Sequence, residues 1–272
     1  MDRALLGHTE PPRHVWVEQI MGMPISVHLR SRDTHASDDA DQAVRACFDE
    51  LHDIDRLFSP YRDDSEITRI QRDELAIDQA NPLVRTVADA CRTAEEQTHG
   101  LFSAHWRGRF DPTGYVKGWA VEQAARRHLA PLMEKDVAVG INAGGDMQLF
   151  TAVGADWRWN VGITDPHSSA TLLATIEVEN GAVATSGTSE RGQHIIDPRT
   201  GRPATSVASA TVVADGLAHA DVWATAAVVA GFDDRKWIAD ADTKTGLLVA
   251  SDGRTARWLD GVPIEISEVS EY

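Results

Sequence analysis

Asp221 and Thr225 are two residues whose types and spacing suit the binding of a metal ion. They lie four positions apart in the alanine-rich segment 218–230, so on a helix the carboxylate and the hydroxyl share one face. Oxygen ligands on a rigid helix suit Mg²⁺, which uses few protein oxygens and completes its shell with phosphate oxygens and water. The alternative is structural, with Asp221 interacting with the helix dipole and Thr225 bonding its own backbone.

A second candidate site is the turn at residues 111–118, which reads DPTGYVKG and leads into a predicted helix. It combines free backbone N–H groups, the Asp111 carboxylate and the Lys117 ammonium group within a few residues. Helix N-termini of this kind favour anions, and Lys117 can supply positive charge. The alternative is a Pro-Gly loop with Thr113 as the N-cap and a solvated Lys117.

Three further segments carry residues that could act in chemistry. The GlyGlyAsp turn at 144–146 follows an apolar strand, where α/β folds often bind ligands, although an ordinary tight turn fits equally well. His194, before the sequence IIDPRTG, could accept a proton or cap a hairpin. Tyr61 follows a helix that Pro60 ends, and it could face a flat aromatic ligand or pack over the core edge.

The elements that must position these residues mix helical and strand patterns. Apolar and polar residues alternate on both sides of Gly22, which predicts two paired strands or one bent strand over 14–30. Apolar spacing predicts helices at 38–57, 65–70, 83–98, 114–129 and 218–230, and strands at 137–141, 157–163, 171–179, 182–185, near Ile195, 208–213 and 245–250. The last strand is expected to close the sheet. No βαβ unit repeats, so the pattern favours an α+β or mixed α/β fold over a doubly wound parallel sheet.

The composition excludes several classes of protein. The chain has 272 residues, 42% of them apolar, and it carries 26 Lys+Arg against 42 Asp+Glu, a net charge of −16. Such an acidic surface argues against binding to nucleic acid or anionic lipid, and a phosphate-bearing ligand would need a cation. Cys47 and Cys91 are too few for a disulfide scaffold and have no neighbours that suggest a zinc site.

We expect a cytoplasmic protein without membrane insertion. No stretch approaches the roughly 18 apolar residues of a membrane span. The first residues contain an apolar run too short for a signal peptide. Residues 1–13 are predicted to be a flexible N-terminal arm and residues 14–272 a single domain.

The order of these segments resembles that of the ApbE family, the flavin transferases known as FAD:protein FMN transferases. The resemblance covers about residues 15–250. Its blocks, in family order, are Met21-Gly22, Phe58-Ser59-Pro60-Tyr61-Arg62 with Ser65-Glu66-Ile67, the segment 111–118, the turn 144–146, Trp159-Asn160-Val161-Gly162-Ile163 with Asp165-Pro166, Thr185-Ser186-Gly187, the block 194–201, and Ala220-Asp221 with Ala224-Thr225. The block 194–201, HIIDPRTG, is the most specific.

The resemblance implies a fold of T-fold-type antiparallel sheets with packed helices and a central FAD cleft. In the family, Mg²⁺ bridges the diphosphate of FAD, a threonine or serine hydroxyl of an acceptor flavoprotein attacks the FMN-side phosphorus, and AMP leaves. By this resemblance Asp221, Thr225 and the main-chain oxygen of Gly114 are metal ligands, and Mn²⁺ would fit the same oxygen atoms. The FAD contacts that it implies are Met21, Tyr61, Phe102, Asp111, Lys117 and Ile195.

His194 is the first candidate for the general base that accepts the proton of the attacking hydroxyl, and Asp111 is the second. The chain departs from the family pattern at Ser103, where an Asp is common, and in short loops before Asp111 and between Gly187 and His194. These departures concern the adenosine-side contacts and the acceptor groove more than the metal site.

Three other functions stay open at this point. A hydrolase would use water in place of the acceptor hydroxyl and cut FAD to FMN and AMP. A non-catalytic flavin-binding protein would bind FAD without transfer, although the presence of Asp221, Thr225, Lys117 and His194 argues against it. A redox flavoenzyme would need a second substrate pocket that the motifs do not reveal.

Overall fold

A nine-stranded sheet forms the centre of the protein, and every described strand pairing in it is antiparallel. The computed structural model describes residues 12–33, 36–106, 108–135, 137–155, 157–187 and 195–264. In chain order the strands are β1 (Arg13–Ile20), β2 (Met23–Ser31), β3 (Val137–Ala143), β4 (Asp146–Thr151), β5 (Trp159–Asp165), β6 (Ser168–Val178), β7 (Gly181–Gly187), β8 (Ile196–Asp197), β9 (Arg202–Pro203), β10 (Val207–Ala214), β11 (Thr245–Ala250), β12 (Thr255–Leu259) and β13 (Val262–Ile264). The large sheet has the spatial order β1-β2-β3-β4-β7-β10-β11-β12-β13, while β5 pairs with β6 and β8 with β9.

Within the described ranges, five α-helices accompany the strands. They are α1 (Ala36–Phe58), α2 (Glu66–Gln71), α3 (Pro82–Gln97), α4 (Thr113–Ala124) and α5 (Leu217–Ala230). After α4 the chain continues through a π-helical turn at Ala125–Leu129 and a 3-10 helix at Ala130–Lys135. Two further 3-10 turns lie at Ile77–Gln79 and Lys236–Ala239.

The helices form by two different patterns. Helix α1 is amphipathic, and its apolar positions Val44, Cys47, Leu51 and Ile54 are all buried, with the helical spacing that places them on one face. Helix α5 is apolar almost all round and buried along most of its length. A helix without a polar face lies inside a protein, so α5 is packed between the sheet and α4 rather than laid on the surface.

The two faces of the sheet are covered by different elements. Successive side chains of a strand point to opposite faces, so Ala184 of β7 joins the large core under the helices while Val183 faces the other way. On that second face, the β5–β6 hairpin covers the sheet through Val161, Ile163 and Val178. The charged and hydroxyl groups of the candidate site are on the helix-covered face.

The structure confirms the α+β class with antiparallel sheets, and it differs from the expected strand list at one edge of the large sheet and at one central strand. β11 at Thr245–Ala250 does not close the sheet, because β12 and β13 extend it beyond that strand. β4 is absent from the predicted strands, although it is one of the central strands. β1 begins at Arg13, the last residue assigned to the N-terminal arm.

Residues 1–11 and 265–272 lie outside the described residues, so the arm and the single domain over 14–272 stay predictions. Within the described part of the chain, no helix has the length and apolarity needed to cross a membrane. The cytoplasmic location likewise stays a prediction.

Candidate active site

Helices α4 and α5 are in close contact at Gly118. A Cβ atom at this position would lie 3.0 Å from both the Leu217 carbonyl oxygen and the Asp221 Cβ atom. Only glycine permits this approach without a shift of the neighbouring helix. The close crossing brings the side chain of Lys117 next to the carboxylate of Asp221.

Lys117 lies between two buried carboxylates from different elements. Its ammonium group forms an ion pair with Asp146, the first residue of β4, and lies 3.4 Å from Oδ2 of Asp221 on α5. The other carboxylate oxygen of Asp146 accepts a hydrogen bond from the backbone N–H of Thr185 at 2.9 Å. The three charged groups therefore join α4, α5 and the adjacent ends of β4 and β7.

Asp221 keeps one oxygen without a hydrogen-bond partner. The residue is 4% exposed, and its Oδ2 atom is buried without a hydrogen-bond partner within the described part of the chain. Burial raises the pKa of Asp221 to about 6, an effect that Lys117 opposes and the Asp146 charge reinforces. Burial also acts to lower the pKa of Lys117, but the carboxylates of Asp221 and Asp146 outweigh it and raise that pKa, so the lysine stays charged.

Ser186 and Thr225 form a second contact between the sheet and α5. The hydroxyl oxygens of the two residues are 3.0 Å apart, a hydrogen-bond distance. Thr225 is one turn beyond Asp221 on the same face of α5. The Thr225 hydroxyl is therefore held by a neighbouring strand, and the interpretation that it bonds its own backbone is wrong.

Two side chains from other elements hold the start of α5. Gln148 of β4 accepts a hydrogen bond from the backbone N–H of Leu217 at 3.1 Å, and Glu122 of α4 accepts one from that of Ala218 at 2.9 Å. The first N–H groups of a helix have no partner inside the helix, so these contacts satisfy them. They also fix the first turn of α5, which precedes Asp221, against β4 and α4.

The oxygen atoms near α5 suit a hard divalent cation that completes its shell elsewhere. Among the described residues, no group of three or more His, Cys, Asp or Glu side chains could hold a metal ion. Mg²⁺ does not require such a cage, because one or two carboxylates with phosphate oxygens and water are enough. Oδ2 of Asp221, which accepts no hydrogen bond among the described residues, and the Thr225 hydroxyl on the same face of α5 match that requirement.

The segment 111–118 differs from the structural interpretation of its sequence. Pro112, not Thr113, is the N-cap of α4, and the N–H and O–H groups of Thr113 both donate to Oδ1 of Asp111. The expectation that Lys117 is solvated is also wrong, because its side chain is only 26% exposed and forms an ion pair with Asp146. Gly114 lies in the first turn of α4, one turn before Gly118.

The remaining residues expected to contact FAD have different environments. Tyr61 is 95% exposed in the loop after α1, so its ring is free to meet a ligand. Phe102 is buried against Ala94, Tyr115 and Val222, so its ring is already used in core packing. Ile195 is also buried.

Met21 lies in the turn between β1 and β2, with a positive φ of 54°. Gly144 of the β3–β4 turn is near it, because a Cβ at Gly144 would lie 3.1 Å from the sulfur of Met23. The turn that holds Met21 and the turn before Asp146 are therefore at the same end of the sheet. His194 lies outside the described residues.

The sequence motifs include the GlyGlyAsp turn at 144–146 and the ThrSerGly block at 185–187, but they assign no role to Asp146 or Ser186. A signal for Asp146 was available, because polar Asp146 and Gln148 alternate with apolar Met147 and Leu149. This alternation is typical of a strand, and it would have placed Asp146 and Gln148 on one face.

A separate cleft of about 350 Å³ lies between α1, α3 and α4. Its lining includes Glu50, Leu83, Trp119 and Arg127. Trp119 is two residues beyond Lys117 on α4 and so points to a different side of the helix. None of the residues at the α4–α5 crossing lines this cleft.

Comparison with known proteins gives consistent matches. The sequence matches the ApbE family over residues 21–107 and 103–248. The FAD:protein FMN transferase of Rhodobacter capsulatus is 34% identical over 154 residues, which is 53% of this chain and 29% of that protein. The enzyme of the same name from Escherichia coli K12 is 28% identical over 144 residues, which is 48% of this chain and 41% of that protein. The chain thus covers less than half the length of these relatives.

Two solved structures share the fold over most of this chain. The ApbE protein of Thermotoga maritima superposes with a TM-score of 0.76 at 21% identity, covering 90% of this chain and 96% of its own. The flavin transferase ApbE of Vibrio cholerae gives a TM-score of 0.66 at 18% identity, covering 92% and 97%. At these identities the likeness concerns the fold.

Proposed function

Because the chain belongs to the ApbE family, we propose that it transfers FMN from FAD to a serine or threonine hydroxyl of an acceptor flavoprotein and releases AMP. The names of the related proteins support FMN transfer to a protein. The observation that carries the proposal for this chain is at the α4–α5 crossing, where Oδ2 of buried Asp221 accepts no hydrogen bond from the described residues and has only the 3.4 Å ion pair with Lys117.

The residues at the crossing fit a Mg²⁺ ion, with Mn²⁺ as an alternative. Asp221 and Thr225 would hold it from α5, and the main-chain oxygen of Gly114 would hold it from α4. Bound there, the ion would neutralise charge on the FAD diphosphate and on the AMP leaving group. A local cation is needed because the net charge of −16 disfavours a polyanionic ligand.

Lys117 is proposed to supply a second positive charge toward the diphosphate. Its ammonium group is held by Asp146 and Asp221, so its position is fixed before a ligand arrives. Met21, Tyr61, Phe102, Asp111 and Ile195 are the other proposed FAD contacts. The ring of Phe102 is buried, so its contact would come through its backbone.

The transfer step exchanges one phosphoester partner for another. The acceptor oxygen forms a bond to the FMN-side phosphorus, the bond between that phosphorus and the bridging oxygen breaks, and AMP leaves with that oxygen. A base must take the proton of the attacking hydroxyl. We assign this role to His194, with Asp111 as the second candidate, from their places in the family motifs.

A single mass-spectrometric assay tests the function. The purified protein is incubated with FAD, Mg²⁺ and an acceptor domain that carries a flavinylation threonine, and AMP release and acceptor mass are read together. The proposal predicts metal-dependent AMP and an FMN adduct on the acceptor. AMP with free FMN and no adduct, on a domain that another FMN transferase does modify, would indicate a hydrolase. Bound FAD with neither product would indicate a non-catalytic flavin-binding protein.

A matched pair of variants links that activity to the site. Asp221→Asn keeps the volume of the side chain and removes its charge, and we expect it to abolish metal-dependent product. Asp215→Asn is the control, because the Asp215 side chain is 86% exposed just before α5 and pairs with Lys244 on the surface. Equal activity of the two variants would exclude Asp221 as a metal ligand.

A further inference from the structure

The two acidic residues around Lys117 are not equivalent. Both carboxylate oxygens of Asp146 are engaged, one by the Thr185 N–H and the other by the Lys117 ammonium group. Asp221 has the longer contact with the same ammonium group: its Oδ2 atom lies 3.4 Å from the Lys117 nitrogen and accepts no hydrogen bond within the described part of the chain. Lys117 is therefore hydrogen-bonded to Asp146, whereas its interaction with Asp221 is an ion pair without a hydrogen bond.

We propose that Asp146 is a positioning residue that holds the Lys117 ammonium group away from Asp221 and so keeps Asp221 available to a divalent cation. The inference rests on the proposed function, because it takes Asp221 to be a metal ligand. Asp146 acts through Lys117 and does not itself bind the cation.

Competition for one carboxylate is the physical basis of this role. An ammonium group and a divalent cation both seek the oxygens of Asp221, and inside a protein their attraction to it is stronger than in water. Without the charge of Asp146, the nearest anion to Lys117 would be Asp221. The lysine would then form a full ion pair with Asp221, and a cation would have to displace it.

The fold makes Asp146 suitable for this task. Its position at the start of β4 and its bond to the Thr185 N–H fix the carboxylate independently of Lys117. The helix α4 that carries Lys117 is held against α5 at Gly118, so the ammonium group can turn toward only these two carboxylates among the described contacts. A small change in charge at Asp146 is therefore expected to move the lysine between them.

Titration with Mn²⁺ alone, followed by electron paramagnetic resonance of the free ion, tests the proposal. Four proteins are compared: the unmodified chain, Asp146→Asn, Lys117→Met and the double variant. The Asp146→Asn substitution keeps a side-chain oxygen that accepts the Thr185 N–H bond. We expect Asp146→Asn to weaken Mn²⁺ binding by about tenfold, the scale found for partners that orient metal ligands.

The double variant separates this role from direct ligation. With Lys117 replaced by Met, Asp146 has no ammonium group to hold, so the double variant should bind Mn²⁺ within about threefold of Lys117→Met. If Asp146 were itself a ligand, the double variant would bind at least about tenfold more weakly than Lys117→Met, and the proposal would be overturned. This comparison does not require Asp146→Asn alone to fold.

Two controls complete the test. Asp221→Asn should abolish Mn²⁺ binding in the otherwise unmodified chain. If it does not, the metal site of the proposed function is wrong, whatever the other variants do. A purely structural role of Asp146 would lower the melting temperature of Asp146→Asn and leave its Mn²⁺ affinity unchanged, which would also overturn the proposal.

Discussion

The hydroxyl oxygens of Ser186 and Thr225 are 3.0 Å apart, although one residue is at the end of β7 and the other is in the middle of α5. Their contact ties the third turn of the helix to the sheet. The first turn is tied separately, by the bonds of Gln148 and Glu122 to its N–H groups. The face of α5 that carries Asp221 is therefore fixed at both ends before any ligand binds.

We predict that Ser186→Ala weakens Mn²⁺ binding by up to about tenfold, because it frees the Thr225 hydroxyl to rotate away from the cation. The measurement is the same titration with Mn²⁺ alone. Thr211→Val is the matched control, since it removes a hydroxyl pair of the same kind, with Thr185 at 2.9 Å, on the opposite face of the sheet. Equal binding by Ser186→Ala and Thr211→Val would contradict a role for Ser186 in orienting Thr225.

Gly118→Ala is expected to lower the stability of the protein, even though alanine favours a helix more than glycine does. Overpacking against Leu217 and Asp221 costs about 1–3 kcal/mol, and the gain in helix propensity offsets about 1 kcal/mol of that cost. The net loss is therefore up to about 2 kcal/mol, measured by urea unfolding.

Gly114→Ala, one turn earlier on α4, is the control for stability. A Cβ there would meet only Phe102, at an ordinary contact distance of 3.5 Å. The two variants have the same change in side chain on the same helix and differ in what they contact. If Gly118→Ala were as stable as Gly114→Ala, the close crossing of α4 and α5 would not require glycine.

Cys47 and Cys91 are predicted to be inert in the folded protein. Burial raises the pKa of each thiol to about 12, helped by nearby acidic groups, so the reactive thiolate is scarce near neutral pH. A thiol reagent at pH 8 should label neither residue in the native state and both in urea. Rapid labelling of either cysteine without denaturant would show that α1 or α3 opens easily.

Much of the fold could be predicted from patterns within single segments. The apolar spacing over 38–57 predicts a helix, and α1 is found at Ala36–Phe58. The strand β12 is not among the predicted strands, and its place in the sheet depends on packing against other elements. Trp258 packs directly over Gly246 of β11, where an added Cβ would lie 2.0 Å from the ring, and only the folded sheet brings them together.

In the candidate site, too, a sequence pattern predicts relations within one element but not contacts between elements. The helical spacing of Asp221 and Thr225 is visible in the sequence, because both belong to one helix. The pairing of Lys117 with Asp146 depends on how α4 crosses β4, and no local pattern contains that information. For the same reason Ser186 could not be assigned to Thr225 from its sequence position.

The β1–β2 pair is expected to lose stability as the pH falls. Burial lowers the pKa of His28 to about 4, with Arg13 and Arg30 adding to the effect. Arg13 donates to Nδ1 of the ring at 3.1 Å, so the native state holds the imidazole neutral. An unfolded chain takes up this proton near pH 6.5. Between about pH 6.5 and 4 the unfolded state therefore binds more protons than the native state, and the free energy of unfolding decreases as the pH is lowered.

His28→Gln should make the free energy of unfolding less dependent on pH in that window. Arg13→Gln removes one of the two positive charges near His28, so it should reduce the pH dependence of the free energy of unfolding only in part. The comparison is made by urea unfolding at several pH values, with the titration midpoint of His28 read by NMR. A midpoint near 6.5 in the native protein would show that the burial and the two arginines do not act on His28 as the structure indicates.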